Sequence, residues 1–491
     1  MSTHRFRTLL ALMTNAMLIH GYNPDKLLAS VIASIPKDKR ASLNNSDNYR
    51  GISLCCALCK VIDYVFIDKY STNLNSSNMQ FAFKSSHDTT LCTAMLKETV
   101  SYHLNRGSDV YACMLDASKA FDKVHFGKLF KLLVDRNIPS IVIRLLLDNY
   151  TRQKIVTSWN GAKSREFSAA NGVRQGGVLS PILFNIYFDE MLTRLKRKGI
   201  GCKVGIYFLG ALAYADDVIL LCPSRKGLQE MLDICELFGD EYHVGYNATK
   251  TKCIKFSNIA VDEQYCVKLN DVILKWVRSV NHLGNEIDCS LRDKCDVDAK
   301  KYTFIGSVNK LLHIFGCLQS HVLVKLFQNY CCSFYGSVLW KQNDSAIHDI
   351  CIEWNKALRK VWRLPNTAHT AMLGPLNNQC HISDQLSMRF MKFYDRMHRC
   401  DNDLVNFMAN VAKHNHNGFI KNNIMYIKWK YDIDLTKMDV SSCIKRVKQM
   451  HASNPLVQLL DELIHVRDSS KYIDGFNHDE VLNLICDVST F

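Results

Sequence analysis

The stretch Leu212-Ala213-Tyr214-Ala215-Asp216-Asp217-Val218-Ile219-Leu220-Leu221 decides the fold, because it sets two adjacent carboxylates inside an otherwise apolar run. Ionised groups are costly in such surroundings unless something binds them. Val218-Ile219-Leu220-Leu221 reads as a buried strand and Ala213-Tyr214 as its partner, so the pattern predicts a hairpin whose tip carries both acids. A divalent cation is the natural guest of that tip. A solvated turn is the alternative that the tetrad alone leaves open.

Upstream, a second buried-strand signal, Val110-Tyr111-Ala112-Cys113-Met114-Leu115, ends abruptly in Asp116. If the two strands share one sheet, Asp116 and Asp216 meet at its edge. They would form a hard-oxygen pair suited to Mg²⁺, which keeps several waters and recruits phosphate oxygens to complete its octahedron. Two such ions roughly 3.5 to 4 Å apart clamp the attacking and leaving oxygens of an in-line phosphoryl displacement.

Other segments follow in a fixed order: Ile35-Pro36-Lys37, Asn48-Tyr49-Arg50-Gly51-Ile52-Ser53-Leu54, Gln80-Phe81-Ala82-Phe83 and Asp116-Ala117-Ser118-Lys119-Ala120-Phe121-Asp122. After them come Gly172-Val173-Arg174-Gln175-Gly176-Gly177-Val178-Leu179-Ser180-Pro181, the Tyr214-Ala215-Asp216-Asp217 tetrad, residues 247–252 and His282-Leu283-Gly284. Over residues 13–288 the chain thereby resembles the reverse transcriptase of non-LTR (LINE-type) retrotransposons. The tetrad alone is a weak signal, and the ordered set is a strong one.

The resemblance implies an α+β right-hand polymerase fold. Fingers and a palm with an antiparallel sheet are expected over residues 1–288, a thumb-like helical region over 289–365 and a helical C-terminal region over 366–491. It implies template-directed addition of deoxynucleotides to a primer 3′-OH. Two Mg²⁺ ions, with Mn²⁺ as a substitute, would be held by Asp116 and Asp216, with Asp217 in support. The partners implied are an RNA template, a DNA primer or target DNA, and deoxynucleoside triphosphates.

Matching positions carry further roles by the same resemblance. Lys37 and Arg50 flank the fingers loop as triphosphate ligands, and Arg suits bidentate phosphate contact. Ala120 is small where the backbone nears the triphosphate. Phe121 lies beneath the incoming sugar and obstructs a ribose 2′-OH. Gln175 touches the nucleotide, with Arg174 and Gly176 beside the template. Lys250 or Lys252 protonates the departing pyrophosphate, and the sequence does not choose between them. Competing readings are core packing for Phe121, a plain loop-to-helix junction for Arg174 to Gly177, and ordinary surface charge for Lys37 and Arg50. Ser180-Pro181 reads as a helix start, Ser as cap and Pro at the first position.

Periodicity predicts helices over residues 6–20, 58–70, 89–104, 126–136, 140–150, 180–198 and 227–239, a strand over 29–35, and a mostly helical chain from 297 onward. The chain is basic, with 61 Lys and Arg against 47 Asp and Glu, which favours polyanion partners. Its 20 cysteines lack zinc spacing, and pairs such as Cys55-Cys56 and Cys331-Cys332 sit in apolar runs. Reduced thiols in an intracellular protein of nucleus or cytoplasm are expected, not a secreted disulfide framework. Arg5 and Arg7 precede an interrupted apolar stretch, read as an amphipathic helix and not a signal peptide, and no run reaches the roughly 18 residues of a membrane span.

Away from the family segments, a helical projection of residues 354–363 puts Lys356, Arg359, Lys360 and Arg363 on one face and Trp354, Leu358, Val361 and Trp362 on the other. Such a helix is a candidate clamp for a nucleic-acid backbone, or an ordinary solvated face. A looser version runs through Arg389, Lys392, Arg396 and Arg399. The chain begins near the fingers, with no long N-terminal domain for a nicking endonuclease and no His/Cys knuckle near its end. A polymerase core cut from a larger element is therefore expected. The alternatives are a catalytically silent RNA-binding product of a decayed element and, less favoured, a group II intron maturase.

Overall fold

The computed structural model describes residues 4–39, 41–257, 266–368, 370, 373 and 380–452. The helical reading of residues 453–491, Cys486 among them, lies outside the described residues. The chain divides into two compact units, one of residues 1–89, 110–253 and 262–276, the other of residues 90–109, 254–261 and 277–491. The class is mixed α+β with a mostly helical C-terminal part, as expected.

In the first unit, the strand Val110–Asp116 lies antiparallel to Asp217–Cys222, which turns back through the hairpin to Ala211–Tyr214. Lys252 and Cys253 pair in parallel with Lys275 and Trp276 and extend the same sheet on the far side of Val110–Asp116. The apolar runs read as strands are strands because both faces are covered. The helix Ser180–Lys198 buries Phe184, Tyr187, Phe188, Met191, Leu192 and Leu195, and these share one core with Cys113, Leu115, Val218 and Leu220 of the sheet and with Phe238 and Tyr242 of the helix Arg225–Tyr242. At roughly 25 cal/mol per Å² of apolar surface, this burial is the main force holding the acidic hairpin in place.

A second sheet of the same unit pairs Ala29–Pro36 antiparallel with Tyr49–Cys55 and parallel with Lys154–Trp159. Ser180-Pro181 does open a helix, but Ser180 is its first residue and not its cap. Leu179 holds the cap position with an α-type backbone and makes no side-chain cap bond. The Leu179 N–H instead donates to Asp63 Oδ2 at 3.4 Å, so a carboxylate from another helix faces the donors and positive dipole end of this one.

In the second unit, the helix Thr89–Leu104 is buried at every residue from Thr90 to Ser101. Its interior ionisable side chains, Lys97 and Glu98, are hydrogen-bonded. Lys97 Nζ donates to Asp293 Oδ1 at 2.6 Å and to the Leu339 carbonyl at 2.8 Å. Glu98 accepts from Asn415 Nδ2 at 3.0 Å and from the Ile420 N–H at 3.1 Å. Val297, Phe304, Phe327, Trp340, Ile350, Trp354 and Leu358 form a separate apolar core there. Every described cysteine is a free thiol, and no helix among the described residues is long and apolar enough to cross a membrane.

Candidate active site

The ladder between the two central strands ends with Asp116 directly opposite Asp217, and Tyr214 is also paired with Asp217. Asp216 sits on the two-residue turn just beyond the ladder. Asp116 is itself held at its main chain: its N–H donates to Thr251 Oγ1 at 3.2 Å, and its carbonyl accepts from the Asn247 N–H at 2.9 Å. The chain around Lys250 is thus laid beside Asp116, and Asn247 Oδ1 accepts from the N–H groups of Thr249 and Lys250 in a tight side-chain turn. Lys250 and Lys252 are both exposed.

The carboxylates share a partly buried, self-repelling environment. Burial raises the Asp216 carboxyl above its ordinary value, and Asp116 raises it further, while a bond to its own backbone and the guanidinium of Arg50 pull the other way. Asp217 is pushed up to about 6 by burial, then by Asp216 and Asp116. None of the three makes an ion pair among the described residues. Nor do those residues hold a ready-made group of three or more His, Cys, Asp or Glu placed as metal ligands. Clustered hard oxygens that repel one another, with the Arg50 guanidinium offsetting this only in part at Asp216, suit a divalent cation.

Around this centre the other expected residues fall in two groups. Ala120 and Phe121 lie on the short 3-10 turn Ala120–Lys123. Ala120 is buried, so its methyl faces the core. The Phe121 ring stacks on Phe184 with centroids 4.0 Å apart and meets Phe83 edge-on at 6.2 Å. The loop before the Ser180–Lys198 helix is tied to this turn by Val173 N–H to the Phe121 carbonyl at 2.9 Å, and Gln175 Nε2 donates to Asp122 Oδ1 at 3.2 Å. Arg50 stands opposite Ile35 on the paired strands. Lys37 Nζ donates to the Asp47 carbonyl at 2.9 Å, and the Asp47 carboxylate meets Lys119 Nζ at 2.8 Å. The loop tip therefore reaches back to the segment that carries Asp116.

Other residues are already occupied. Arg174 donates from Nε to Gln153 Oε1 at 3.1 Å and from Nη2 to the Asn149 carbonyl at 2.9 Å. Gly176 has a φ of +105°, and a Cβ there would lie 2.9 Å from the Ser53 carbonyl oxygen; the space glycine leaves is taken by the Tyr49–Cys55 strand. In the second unit, Trp354, Leu358 and Val361 of the helix Ser345–Trp362 are buried as projected. Of the four projected cations, Arg359 donates to the Ala368 carbonyl, at 3.0 Å from Nε and 2.8 Å from Nη2, and Arg363, which lies past the helix end in a left-handed conformation, to the carbonyls of Gly316 and Leu318. Lys356 pairs with Glu353 at 2.8 Å, and Lys360 is exposed. In the looser version, Arg389 donates to the carbonyls of Ser333 and Cys332, Arg396 to Thr90 Oγ1, and Arg399 pairs with Asp395.

Residues outside the expected set also build the site. Asp63 approaches the end of the helix that follows Gln175, Thr251 holds Asp116, and Gln80 binds the acidic turn. Gln80 lies in the matched segment Gln80-Phe81-Ala82-Phe83, which was the one signal pointing to it.

The family model of reverse transcriptase (RNA-dependent DNA polymerase) matches residues 35–287, which is more than half of the chain and includes the strands that carry Asp116 and Asp217. The chain belongs to the reverse transcriptase family and has its right-hand polymerase fold. Among curated relatives, it is 30% identical over 220 residues to the Pol polyprotein of the type-2 retrotransposable element R2DM of Drosophila melanogaster, covering 45% of this chain and 20% of that protein. It is 25% identical over 426 residues to the RNA-directed DNA polymerase from the mobile element jockey of the same species, covering 82% of this chain and 45% of the relative. The chain thus spans less than half the length of these relatives. A solved telomerase from Candida tropicalis aligns with 92% of this chain and 67% of its own, at 13% identity and a TM-score of 0.42.

Proposed function

We propose that this chain is an RNA-directed DNA polymerase of non-LTR retrotransposon type, adding deoxynucleotides to a primer 3′-OH. The observation that carries the reading is that Asp116, Asp216 and Asp217 lie together at one strand end, with the Asp216 and Asp217 carboxyls raised by burial and by their neighbours, and with no ion pair to any of the three among the described residues.

Asp116 and Asp216 would hold two Mg²⁺ ions, or Mn²⁺ in their place, and Asp217 would add charge beside them. When bound, the ions lower the pKa of the primer hydroxyl and neutralise charge on the departing pyrophosphate. The remaining work belongs to the protein's own groups. Arg50 and Lys37 bind the triphosphate from the fingers strands, Gln175 orients the nucleotide, and Phe121, braced by Phe184, fills the space beneath the sugar 2′ carbon. Lys250, in the turn closed by the Asn247 side chain, would give a proton to pyrophosphate, with Lys252 as the alternative. Arg174 and Gly176 set the shape of the loop that presents Gln175 along the template.

The fingers and palm would occupy residues 1–288, a thumb residues 289–365 and a helical extension residues 366–491. An RNA template, a DNA primer or target, and deoxynucleoside triphosphates are the partners, and the nucleus or cytoplasm is the compartment. The test is primer extension on a homopolymer RNA template with a DNA primer, Mg²⁺ and labelled nucleotides. Extension supports the reading; RNA binding without extension supports a silent element product instead.

A further inference from the structure

The turn that carries Asp216 is held by a side chain with no assigned role. Ala215, the residue before Asp216, has a φ of +58°, a left-handed conformation uncommon for a residue with a Cβ. Both of its main-chain polar groups are taken by one buried amide: the Ala215 N–H donates to Gln80 Oε1 at 2.8 Å, and Gln80 Nε2 donates to the Ala215 carbonyl at 3.2 Å. Gln80 Oε1 also accepts from the Ala82 N–H at 3.1 Å, and the side chain is fully buried.

The backbone beside it repeats the arrangement. Phe81 N–H donates to the Ala213 carbonyl at 2.8 Å and Ala213 N–H to the Met79 carbonyl at 2.9 Å, so the segment runs parallel along the outer edge of Ala211–Tyr214. Where the chain of that strand turns away, the Gln80 amide continues the ladder by two more bonds. A carbonyl and an amino group on one neutral side chain are what this position requires. Met matches the length with neither group, and an ionised Glu accepts but cannot donate.

We propose that Gln80 is a positioning residue for the acidic turn: by binding both polar groups of Ala215 it holds that residue left-handed and so fixes Asp216 and Asp217 relative to Asp116. The proposal rests on the polymerase reading for its consequence in catalysis, but not for its mechanical part. Gln80 touches no reacting atom. Its loss removes the partner of three backbone groups, both polar groups of Ala215 and the Ala82 N–H, and the turn relaxes toward conformations in which the carboxylates no longer converge.

The test compares the parent with Gln80→Met by three measurements. Hydrogen exchange across residues 211–217 should quicken by about tenfold or more at the Ala215 amide. Mn²⁺, titrated with no nucleotide or nucleic acid present, should bind about tenfold more weakly. Primer extension at saturating template should slow by a similar factor with primer–template affinity unchanged, the pattern of a group acting on the chemical step. A folded Gln80→Met protein with the parent's Ala215 exchange and Mn²⁺ affinity overturns the proposal. Should that variant not fold, Gln80→Asn takes its place, its amide one methylene too short to reach both polar groups of Ala215: quicker exchange and weaker Mn²⁺ binding are expected, and parental values of both overturn it. If the parent extends no primer, the polymerase reading fails, while exchange and Mn²⁺ affinity still decide the role of Gln80.

Discussion

Asp116 and Asp217 are direct cross-strand partners at the last rung of the palm ladder, one residue away from the turn that carries Asp216. Their separation is therefore set by backbone pairing and not by flexible side chains. Asp116→Asn should lower extension by more than about a hundredfold if that carboxylate holds an ion, since about 2.7 kcal/mol of barrier is a modest share of what such a group supplies. Asp217→Asn should be milder. Steady-state extension rates for both variants, with melting curves to show that each folds, check the ranking.

Phe121 stacks on Phe184 at 4.0 Å yet remains only half-buried, a geometry that serves core and substrate alike. Phe121→Ala should raise ribonucleotide incorporation relative to deoxyribonucleotide by about tenfold. It should also destabilise the fold by less than the roughly 3 to 5 kcal/mol of a fully buried Phe→Ala change. Competition between the two nucleotide types measures the first, and urea unfolding the second. Unchanged discrimination returns Phe121 to packing alone.

Glu98 offers a pH dependence with a definite sign. Burial, opposed by its bonds to Asn415 and Ile420, pushes its carboxyl up to about 7 from an ordinary 4.5. The folded state therefore holds this proton more tightly than the unfolded state. The stability Glu98 contributes is full below about pH 4.5 and is lost as pH rises toward 7, by on the order of 3 kcal/mol. Glu98→Gln should remove that slope and leave the variant more stable than the parent at pH 8. Denaturant midpoints at pH 5 and pH 8 make the comparison, and an equal slope in both proteins contradicts it.

On the helix Ser345–Trp362 and just past its end the four cations divide by what they touch. Lys356→Gln with Lys360→Gln should flatten the salt dependence of template–primer binding by roughly 0.9 per lost phosphate contact on B-form DNA. Arg359→Gln should instead lower stability by about 1 to 2 kcal/mol, because its guanidinium is bonded to the Ala368 carbonyl. Binding isotherms at several salt concentrations separate the two effects. An unaltered slope in the double-lysine variant makes this face plain solvated surface.

The readable parts of the site were those written in local pattern. Asp216 stood out because Val218 to Leu221 is too apolar to host it without a reason, and Asp116 because it stops a strand signal. The helix at Ser180 was legible from its apolar period, but its cap was not, since Asp63 reaches Leu179 only through tertiary packing. The strand Lys154–Trp159 escaped for a similar cause: its partner is Ala29–Pro36, more than a hundred residues away and parallel. Gln80 is the sharpest case. A buried amide that completes a distant turn has no periodicity, and apart from its place in the segment Gln80-Phe81-Ala82-Phe83 only the folded neighbour Ala215 distinguishes it from a surface glutamine. Arg359 and Arg363 erred the other way, as cations that projection places outward and that loop carbonyls claim.

Whether Asp116, Asp216 and Asp217 form a metal-dependent polymerase centre is decided by single-turnover primer extension with the purified parent and Asp216→Asn. Each is assayed on an RNA template with a DNA primer, with Mg²⁺ and then with Mg²⁺ chelated. Extension by the parent only with the metal is expected, and a loss beyond about tenfold in Asp216→Asn, roughly 1.4 kcal/mol of barrier, with nucleic-acid affinity retained. Extension by Asp216→Asn within tenfold of the parent, or a parent that binds RNA and never extends the primer, would contradict that assignment.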